Sequence, residues 1–431
     1  LTDVTGVQTC ALPISKEEGM EINEFVDKYA QRFKDFCKLF LVEYDNFYRT
    51  SDKSHHSAAQ EFWKRCSKDI YKKRYSGKYC VGCERYLTEK ELVDGKCPDH
   101  GTLPEEREEE NYFFKLTNYK DHLLKWLERN PNVLKPTQKV EELKTIINEI
   151  EDISISRLKE NLPWGIEVPD DPEQVLYVWF DALTNYVNVI GFGTDEKKLN
   201  EWWPGIQIFG PDNLRFQGAI WQGMLASVGL PQSKKLLEHG MVLGPDGTKM
   251  AKSKGNVISP FDQEQKYGAE IVRYYLLVGI STFADSSYKE DDLVNMYNSR
   301  LANNFGNLLN RLIHLANSSE VEINRGERVD KEFLKEVDTY KERIEKYYEE
   351  FDISLAGESI DELADWGNKY ITKEEPWSKL KSKNERELIL NNLSYLLKVV
   401  IDLYYPIIPN SSNLANEALQ RREKIILFKK I

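Results

Sequence analysis

The segment His239-Gly-Met-Val-Leu-Gly-Pro-Asp-Gly-Thr-Lys249-Met-Ala-Lys252-Ser-Lys254-Gly-Asn256 is the most specific stretch of the chain. Its Gly-Pro-Asp-Gly centre is turn-forming, because Pro presets φ and Gly tolerates a positive φ. Lysines follow at two- to three-residue steps, a spacing that lets ammonium groups gather around a triphosphate. A basic loop by itself reads more often as solvated surface. This one follows an apolar strand and leads into Val257-Ile-Ser-Pro260, so it sits between regular elements.

Upstream, Val175-Leu-Tyr-Val-Trp-Phe180 and Ile206-Gln-Ile-Phe209 are continuous apolar runs bounded by Gly, Pro or Asp, and each predicts a buried strand. Helical segments lie between and after them, so the middle of the chain alternates β and α, the pattern of a parallel sheet with crossover helices. Ile22, Phe25, Val26, Tyr29, Phe33, Phe36 and Leu39 predict an amphipathic helix over 21–40, followed by a second over 57–67. Helical spacing returns over 118–129, ending before Pro131, and in Val140, Leu143, Ile146, Ile147 and Ile150. Beyond residue 290 the strand signal disappears, and leucines at three- and four-residue steps over 301–315 and 388–405 predict a helical bundle. The acidic run over 105–110 reads as solvated surface.

Cys80-Val-Gly-Cys83 and Cys97-Pro-Asp-His100 are two hooks thirteen residues apart. Each two-residue gap lets both side chains point at one centre, and four sulfur and nitrogen donors suit a tetrahedral zinc ion. With all four positions filled by protein the ion would be structural, replacing a core that so short a segment cannot build. The remaining cysteines, Cys10, Cys37 and Cys66, have no such spacing and read as ordinary thiols. Six cysteines in 431 residues are too few for a disulfide scaffold, which points to the cytoplasm. With 59 basic and 71 acidic residues the net charge is −12, so the chain is no polycationic nucleic-acid coat, although a local basic groove for RNA remains open. No stretch approaches the roughly 20 apolar residues of a membrane helix.

The lysine loop resembles the signature loop of class I aminoacyl-tRNA synthetases, whose usual form is Lys-Met-Ser-Lys-Ser; Ala251 stands here for the first Ser. Further stretches narrow the resemblance to methionyl-tRNA synthetases. They include Tyr79-Cys-Val-Gly-Cys-Glu, Asp152-Ile-Ser-Ile-Ser-Arg157, Val178-Trp-Phe-Asp-Ala182, Gly210-Pro-Asp-Asn-Leu-Arg-Phe216 and Asn368-Lys-Tyr-Ile-Thr-Lys-Glu-Glu-Pro-Trp377. The likeness covers about residues 21 to 419 in order, and the single pair of hooks matches the one-zinc members.

That resemblance implies an α/β, Rossmann-type class I catalytic domain, incomplete at its N-terminus, with a zinc-binding insert and an α-helical anticodon-binding bundle. It implies a methionine–tRNA ligase that activates methionine with ATP and magnesium to methionyl-adenylate, then transfers it to tRNA(Met). Lys252 and Lys249 would contact the phosphates in the transition state, with Asp212, His239 and Gly240 on the ATP side. The methionine pocket would comprise Trp179, Ala182, Leu183, Tyr186 and Gln217, with Leu183 standing where some members have Pro and Gln217 where many have His. Trp377 resembles the aromatic residue that stacks on an anticodon base, and Asn298 and Asn304 lie where family anticodon contacts occur. The metal set would be Cys80, Cys83, Cys97 and His100.

Class I synthetases use a His-x-Gly-His motif to hold ATP at a helix N-terminus. His55, His56, His100, His122, His239 and His314 are the six histidines, and none forms it. Residues 1–15 resemble a translated sequencing adapter, so the expectation is a chain truncated at its N-terminus with little adenylation activity; robust methionine-dependent ATP–pyrophosphate exchange would overturn this. The expected organisation is then 1–15 foreign, 16–73 a remnant of the first Rossmann half, 74–116 the zinc insert, 117–250 the second Rossmann half with pocket and loop, 251–290 a stem-contact region and 291–431 the anticodon bundle. No dimerisation module is visible, so a monomer is expected. The alternatives are a non-catalytic zinc-containing tRNA-binding protein and a synthetase of the Leu/Ile/Val group, which would need an editing insert larger than the thirty-odd residues available here.

Overall fold

Helix α1 (Ile22–Leu39) and helix α2 (Lys53–Cys66) realise the two helical periodicities near the start of the chain. The structure is a computed structural model that describes residues 15, 18–80, 85–87, 89–98, 101–251, 254–319, 321 and 328–431. These fall into two units, one of residues 1–38 and 42–238, the other of 39–41 and 239–431.

In the first unit, β1 (Ile70–Cys80), β2 (Arg85–Leu87) and β3 (Glu105–Phe114) pair antiparallel around the cysteine-rich segment. The ladder runs from Ile70 opposite Phe114 to Tyr79 opposite Glu105. The acidic run lies on this strand, with Glu105, Glu106, Glu108 and Glu110 exposed as expected of a solvated run. Glu109 within it is buried and accepts from Asn111 and Asn161 at 3.0 and 3.3 Å. Alternation explains this, since every second side chain of β3 turns inward.

Helix α3 (Lys120–Arg129), β4 (Leu134–Lys135) and α4 (Val140–Asn148) follow, then short strands β5 (Ile153–Ser154), β6 (Ser156–Leu158) and β7 (Glu167–Val168) and the longer β8 (Asp171–Leu176). The strand expected over 175–180 ends at Leu176. Tyr177 is extended, and α5 (Val178–Asn188) begins directly after it. A short apolar run cannot by periodicity be told from a buried helix start, and this one is both. After α6 (Glu196–Trp202), strand β9 (Ile206–Phe209) forms as expected, a π turn over Phe216–Ile220 continues into α7 (Trp221–Ser227), and β10 (Lys235–Glu238) closes the unit. Strands β9 and β4 flank β10 in one parallel sheet, the arrangement expected of alternating β and α. The core is aromatic: Phe62 lies 5.0 Å from Phe192, 5.7 Å from Trp221 and 6.1 Å from Phe180, ring centre to ring centre. Such pairs add roughly 0.5–1.5 kcal/mol each beyond the area they bury.

The second unit opens with β11 (Val242–Leu243), which pairs parallel with β12 (Ser286–Ser287) after α8 (Pro260–Tyr267) and α9 (Ala269–Tyr274). Helix α8 starts with Pro in its first turn and Ser259 as cap, the Ser hydroxyl accepting from the Asp262 N–H. From residue 290 onward the described residues form helices joined by loops, with no strand among them, as the leucine spacing predicts. The helices are α10 (Glu290–Met296), a π segment over Tyr297–Phe305, α11 (Gly306–Ser319), α12 (Lys331–Glu349), α13 (Ile353–Glu374), α14 (Lys383–Tyr404) and α15 (Pro409–Arg421). Their apolar stripes meet in one core that includes Leu308, Leu312, Ile360, Leu363, Leu393 and Leu397, all fully buried. Asp361 is buried inside it. Tyr274 donates to both its carboxylate oxygens at 2.7 Å, Tyr404 donates to Oδ1, and Arg300 lies 3.3 Å from Oδ2. Burial outweighs those donors and pushes the Asp361 carboxyl up to about 6. Among the described residues no helix is long and apolar enough to cross a membrane.

Candidate functional site

Trp179, Ala182 and Tyr186 stand at i, i+3 and i+7 on α5, so one helical face carries all three, and each is half-buried. Leu183, four residues after Trp179, borders the same face toward the core and is 1% exposed. The facing element is the π turn that leads into α7. Phe216 at its start stacks on Trp179 with ring centres 3.8 Å apart and 14° between planes. Gln217, next in line, donates from Nε2 to the Tyr186 hydroxyl at 2.9 Å. The sequence-predicted pocket residues of α5 and Gln217 are therefore brought together, through a ring stack at one end and a hydrogen bond at the other.

Gln217 is itself held by residues that sequence reading did not single out. Gln207 on β9 donates to Gln217 Oε1 at 2.7 Å, and Gln222 on α7 donates to the Gln217 carbonyl at 2.8 Å. Ser233 donates its N–H to Gln222 Oε1 at 2.9 Å and its hydroxyl to Gln207. All four side chains are almost wholly buried, so three amides and a hydroxyl satisfy one another in place of water. Burial pushes the Tyr186 phenol up, partly offset by hydrogen bonds from Gln217 and Gln207.

The start of α5 is fixed by a second buried pair. His55 of α2 lies with Nε2 2.5 Å from Asp181 Oδ1, and its Nδ1 is 3.3 Å from Asn188 Nδ2. Asn188 also donates to Thr184 at 3.0 Å, and Tyr48 packs edge-on to the imidazole at 5.6 Å. Asp181 sits inside the Val-Trp-Phe-Asp-Ala stretch, yet its partner is 126 positions upstream, and no local pattern announces it.

Asp212 is exposed on the short turn Pro211–Asn213 directly after β9, at the carboxyl end of the parallel sheet where open α/β folds bind ligands. Gly240 and His239 open the second unit. A Cβ at Gly240 would lie 2.1 Å from the Ala284 carbonyl oxygen, so glycine is required there by a backbone approach. The Gly240 carbonyl oxygen is 2.9 Å from His239 Nδ1.

In the lysine loop, Gly247 turns at φ +75° and Gly255 at φ +66°, as the Gly-Pro-Asp-Gly reading anticipates. Lys249 is exposed, while Lys252 lies outside the described residues. Asp246 accepts from the Thr248 N–H at 3.1 Å and from its hydroxyl at 2.9 Å, and from the Asn256 amide at 3.1 and 3.2 Å. These bonds, the Thr248 N–H foremost, lower the Asp246 carboxyl below its ordinary range.

Cys80 and Cys97 are both fully buried and form a miniature cluster with Leu87 and the partly buried Leu92. The Cys97 N–H donates to the Thr102 carbonyl and the Gly101 N–H to the Cys97 carbonyl, a tight turn closed by Gly101 at φ +64°. Cys83 and His100 lie outside the described residues. Among the described residues no group of three or more His, Cys, Asp and Glu is placed to hold a metal. Of the four residues expected to hold zinc, the described two, Cys80 and Cys97, thus share one small buried cluster. Cys66, by contrast, is buried in the main core, which pushes its thiol up to about 12.

In the helical unit Trp377 is 54% exposed just beyond α13. Asn298 is half-buried and exchanges two bonds with Ile431, at 2.8 and 3.2 Å. Asn304 donates to the Asp361 carbonyl at 2.8 Å and accepts from Asn368 at 3.0 Å. The same ladder extends to two residues the sequence reading missed. Asn307 donates to Asn368 Oδ1 at 3.1 Å, and Arg311 donates to Asn368 and to Thr372 at 3.1 Å. Asn304, Asn307 and Arg311 recur at i, i+3 and i+7, a polar stripe amid leucines that hydrogen-bonds across to α13. It runs toward the end of α13, after which Trp377 follows.

A family model described as tRNA synthetases class I (M) matches residues 2–103 and 99–313, and one described as anticodon binding domain of methionyl tRNA ligase matches 323–427. The methionine–tRNA ligase of Caldanaerobacter subterraneus is 35% identical over 430 residues, covering 97% of this chain and 67% of the relative. That of Thermotoga maritima is 36% identical, covering 93% of this chain and 66% of its own length. The chain thus spans about two thirds of these curated relatives. The Mycobacterium tuberculosis methionyl-tRNA synthetase in complex with methionyl-adenylate has a TM-score of 0.87 at 30% identity, covering 95% of this chain and 83% of that one. With family models covering most of its length and relatives above 30% identity, the chain belongs to the methionyl-tRNA synthetases, the class I aminoacyl-tRNA ligases that act with methionine.

Proposed function

We propose that this chain serves in the ATP-dependent activation of methionine to methionyl-adenylate and its transfer to tRNA(Met). The observation that carries the reading is the pocket wall of the first unit: Trp179 stacked on Phe216 and Tyr186 tied to Gln217. Aromatic faces grip a polarizable thioether, and a fixed phenol at the far end orients it, so an unbranched sulfur-bearing side chain suits this wall. The likeness to a synthetase solved with methionyl-adenylate supports the same ligand here.

Activation joins the methionine carboxylate to the α-phosphate and releases pyrophosphate. The protein's share is positioning and neutralisation of the charge that grows on the leaving group. Lys249 and Lys252 are assigned to those phosphates, and Asp212, His239 and Gly240 to the nucleotide. ATP would enter as its magnesium complex. Cys80, Cys83, Cys97 and His100 would hold one structural zinc ion that ties the ends of β1 to the Cys97 turn. Residues 291–431 are read as the anticodon-binding bundle, with the Asn304, Asn307 and Arg311 ladder and exposed Trp377 meeting unstacked bases. The protein is read as a cytoplasmic monomer.

Because no His-x-Gly-His occurs in the sequence, the tRNA side offers the direct test. The 431-residue chain is titrated with an anticodon stem-loop bearing CAU and with its GAU variant. The CAU loop is expected to bind about tenfold or more tightly, and Trp377→Ala to weaken binding of both loops about tenfold, since one base stack is worth about 1–3 kcal/mol whichever base supplies it. Equal affinity for the two loops would overturn anticodon reading by this unit.

A further inference from the structure

We propose that Asn256 is a positioning residue for the lysine loop, a staple whose carboxamide holds the backbone of Lys249 in its presented conformation; this rests on the reading of that loop as the phosphate-binding element. One side chain closes the loop from inside. Its Oδ1 accepts from the Ala251 N–H at 2.8 Å. Its Nδ2 faces four acceptors: both oxygens of Asp246 at 3.1 and 3.2 Å, the Thr248 hydroxyl at 3.0 Å and the Lys249 carbonyl at 3.3 Å. The contacts therefore reach back five to ten residues, across the whole span from the turn to the segment that carries Lys249.

The chemistry is specific to an amide. An N–H₂ group must face a carboxylate while a carbonyl oxygen on the same carbon faces a backbone N–H, and only Asn at this side-chain length supplies both. The backbone around it is shaped to the same contact. A Cβ at Gly244 would lie 2.9 Å from Asn256 Nδ2 and 2.9 Å from Asp246 Oδ1, so the first strand-to-loop residue must be glycine for the staple to close. The Gly244 N–H in turn donates to the Thr248 carbonyl at 2.8 Å, and the Gly247 N–H to the Gly244 carbonyl at 3.0 Å. Lys249 and Lys254 are exposed, and Met250 packs partly buried against the helical core of the same unit. The loop thus has little apolar anchorage of its own, and hydrogen bonds to Asn256 set its shape.

Mild trypsin digestion of the 431-residue chain, with cleavage after each lysine of 249–254 mapped by mass spectrometry, measures how often this backbone opens. Asn256→Ala is expected to raise the cleavage rate there about tenfold, the ratio that corresponds to losing one to two ordinary hydrogen bonds. Cleavage elsewhere and the thermal midpoint are expected to stay unchanged. Asn256→Asp, isosteric but facing Asp246 with a like charge, is expected to open the loop at least as much. Combining it with Asp246→Asn restores one donor to that pair and is expected to recover part of the protection. Unchanged cleavage in Asn256→Ala, or a rise spread evenly over the chain with a lowered midpoint, would overturn the staple. Inorganic pyrophosphate tests the reading beneath it. It should slow loop cleavage in the unsubstituted chain and do so only at higher concentration in Asn256→Ala. Faster cleavage in the variant with no pyrophosphate effect on either would uphold the staple while overturning the phosphate assignment.

Discussion

The wall of α5 in the first unit and the lysine loop of the second hold polar side chains by opposite means. In the first, Gln207, Gln217, Gln222 and Ser233 are buried and satisfy one another, and His55 closes on Asp181 with neither side chain more than 3% exposed. In the second, Asp246 and Lys249 are exposed, and local hydrogen bonds gathered at Asn256 give the loop its shape. A buried polar network is expensive to break, because a lost partner leaves a desolvated group behind; an exposed one yields to water at small cost. The difference teaches that the wall is built to stay and the loop to change state without cost to the fold.

The comparison breaks most visibly at His55. Replacing it by Ala leaves Asp181 buried without its imidazole, and urea unfolding of the first unit should show a loss of about 3 to 5 kcal/mol. A loss below about 1 kcal/mol would mean that the pair contributes little and that the two regions differ less than their burial implies.

Asp361 sharpens the comparison with a buried carboxyl in the second unit. Its folded pKa, about 6, lies above the ordinary 3.8, so the unfolded chain gives up this proton first as pH rises. The stabilising contribution is therefore full below about pH 4 and lost as pH rises through about 6. Relative to Asp361→Asn, the unsubstituted chain should lose about 2 to 3 kcal/mol of stability between pH 4 and 7.5, read by urea unfolding at each pH. A difference that is flat or grows with pH would show that Tyr274, Tyr404 and Arg300 favour the ionised form after all.

The smallest expected effect is at Lys249. Lys249→Met should leave the unfolding free energy within about 0.5 kcal/mol, as for other exposed positions, while abolishing the slowing of loop cleavage by pyrophosphate. A stability loss above about 1 kcal/mol would place Lys249 among the loop's supports and not among its ligand contacts.

What was legible in the sequence follows the same division. The lysine loop is contiguous, so residue types and short spacings carry it, and Gly247 and Gly255 take the positive φ their turns require. The helical bundle was legible because leucine periodicity is a property of each helix taken alone. The wall was legible only through the family resemblance, which named Trp179, Ala182, Leu183, Tyr186 and Gln217. Its supports join residues 10 to 126 positions apart, Gln217 to Gln207 and His55 to Asp181, and no periodicity relates them. The helix start at Val178 was misread as strand because six apolar residues fit either period. The π segments at 216–220 and 297–305 likewise have no compositional mark.

The distribution of indoles makes the helical unit optically simple. Of the nine tryptophans only Trp366 and Trp377 fall after residue 239. Trp366 is boxed in by Phe333 and Tyr370 at 4.8 and 6.0 Å, whereas Trp377 stands more than half in water. One therefore emits from a shielded, blue-shifted environment and the other from a red-shifted one open to collisional quenchers. A chain whose other tryptophans are replaced by phenylalanine would report, through a single exposed fluorophore, whether a base arrives on that face.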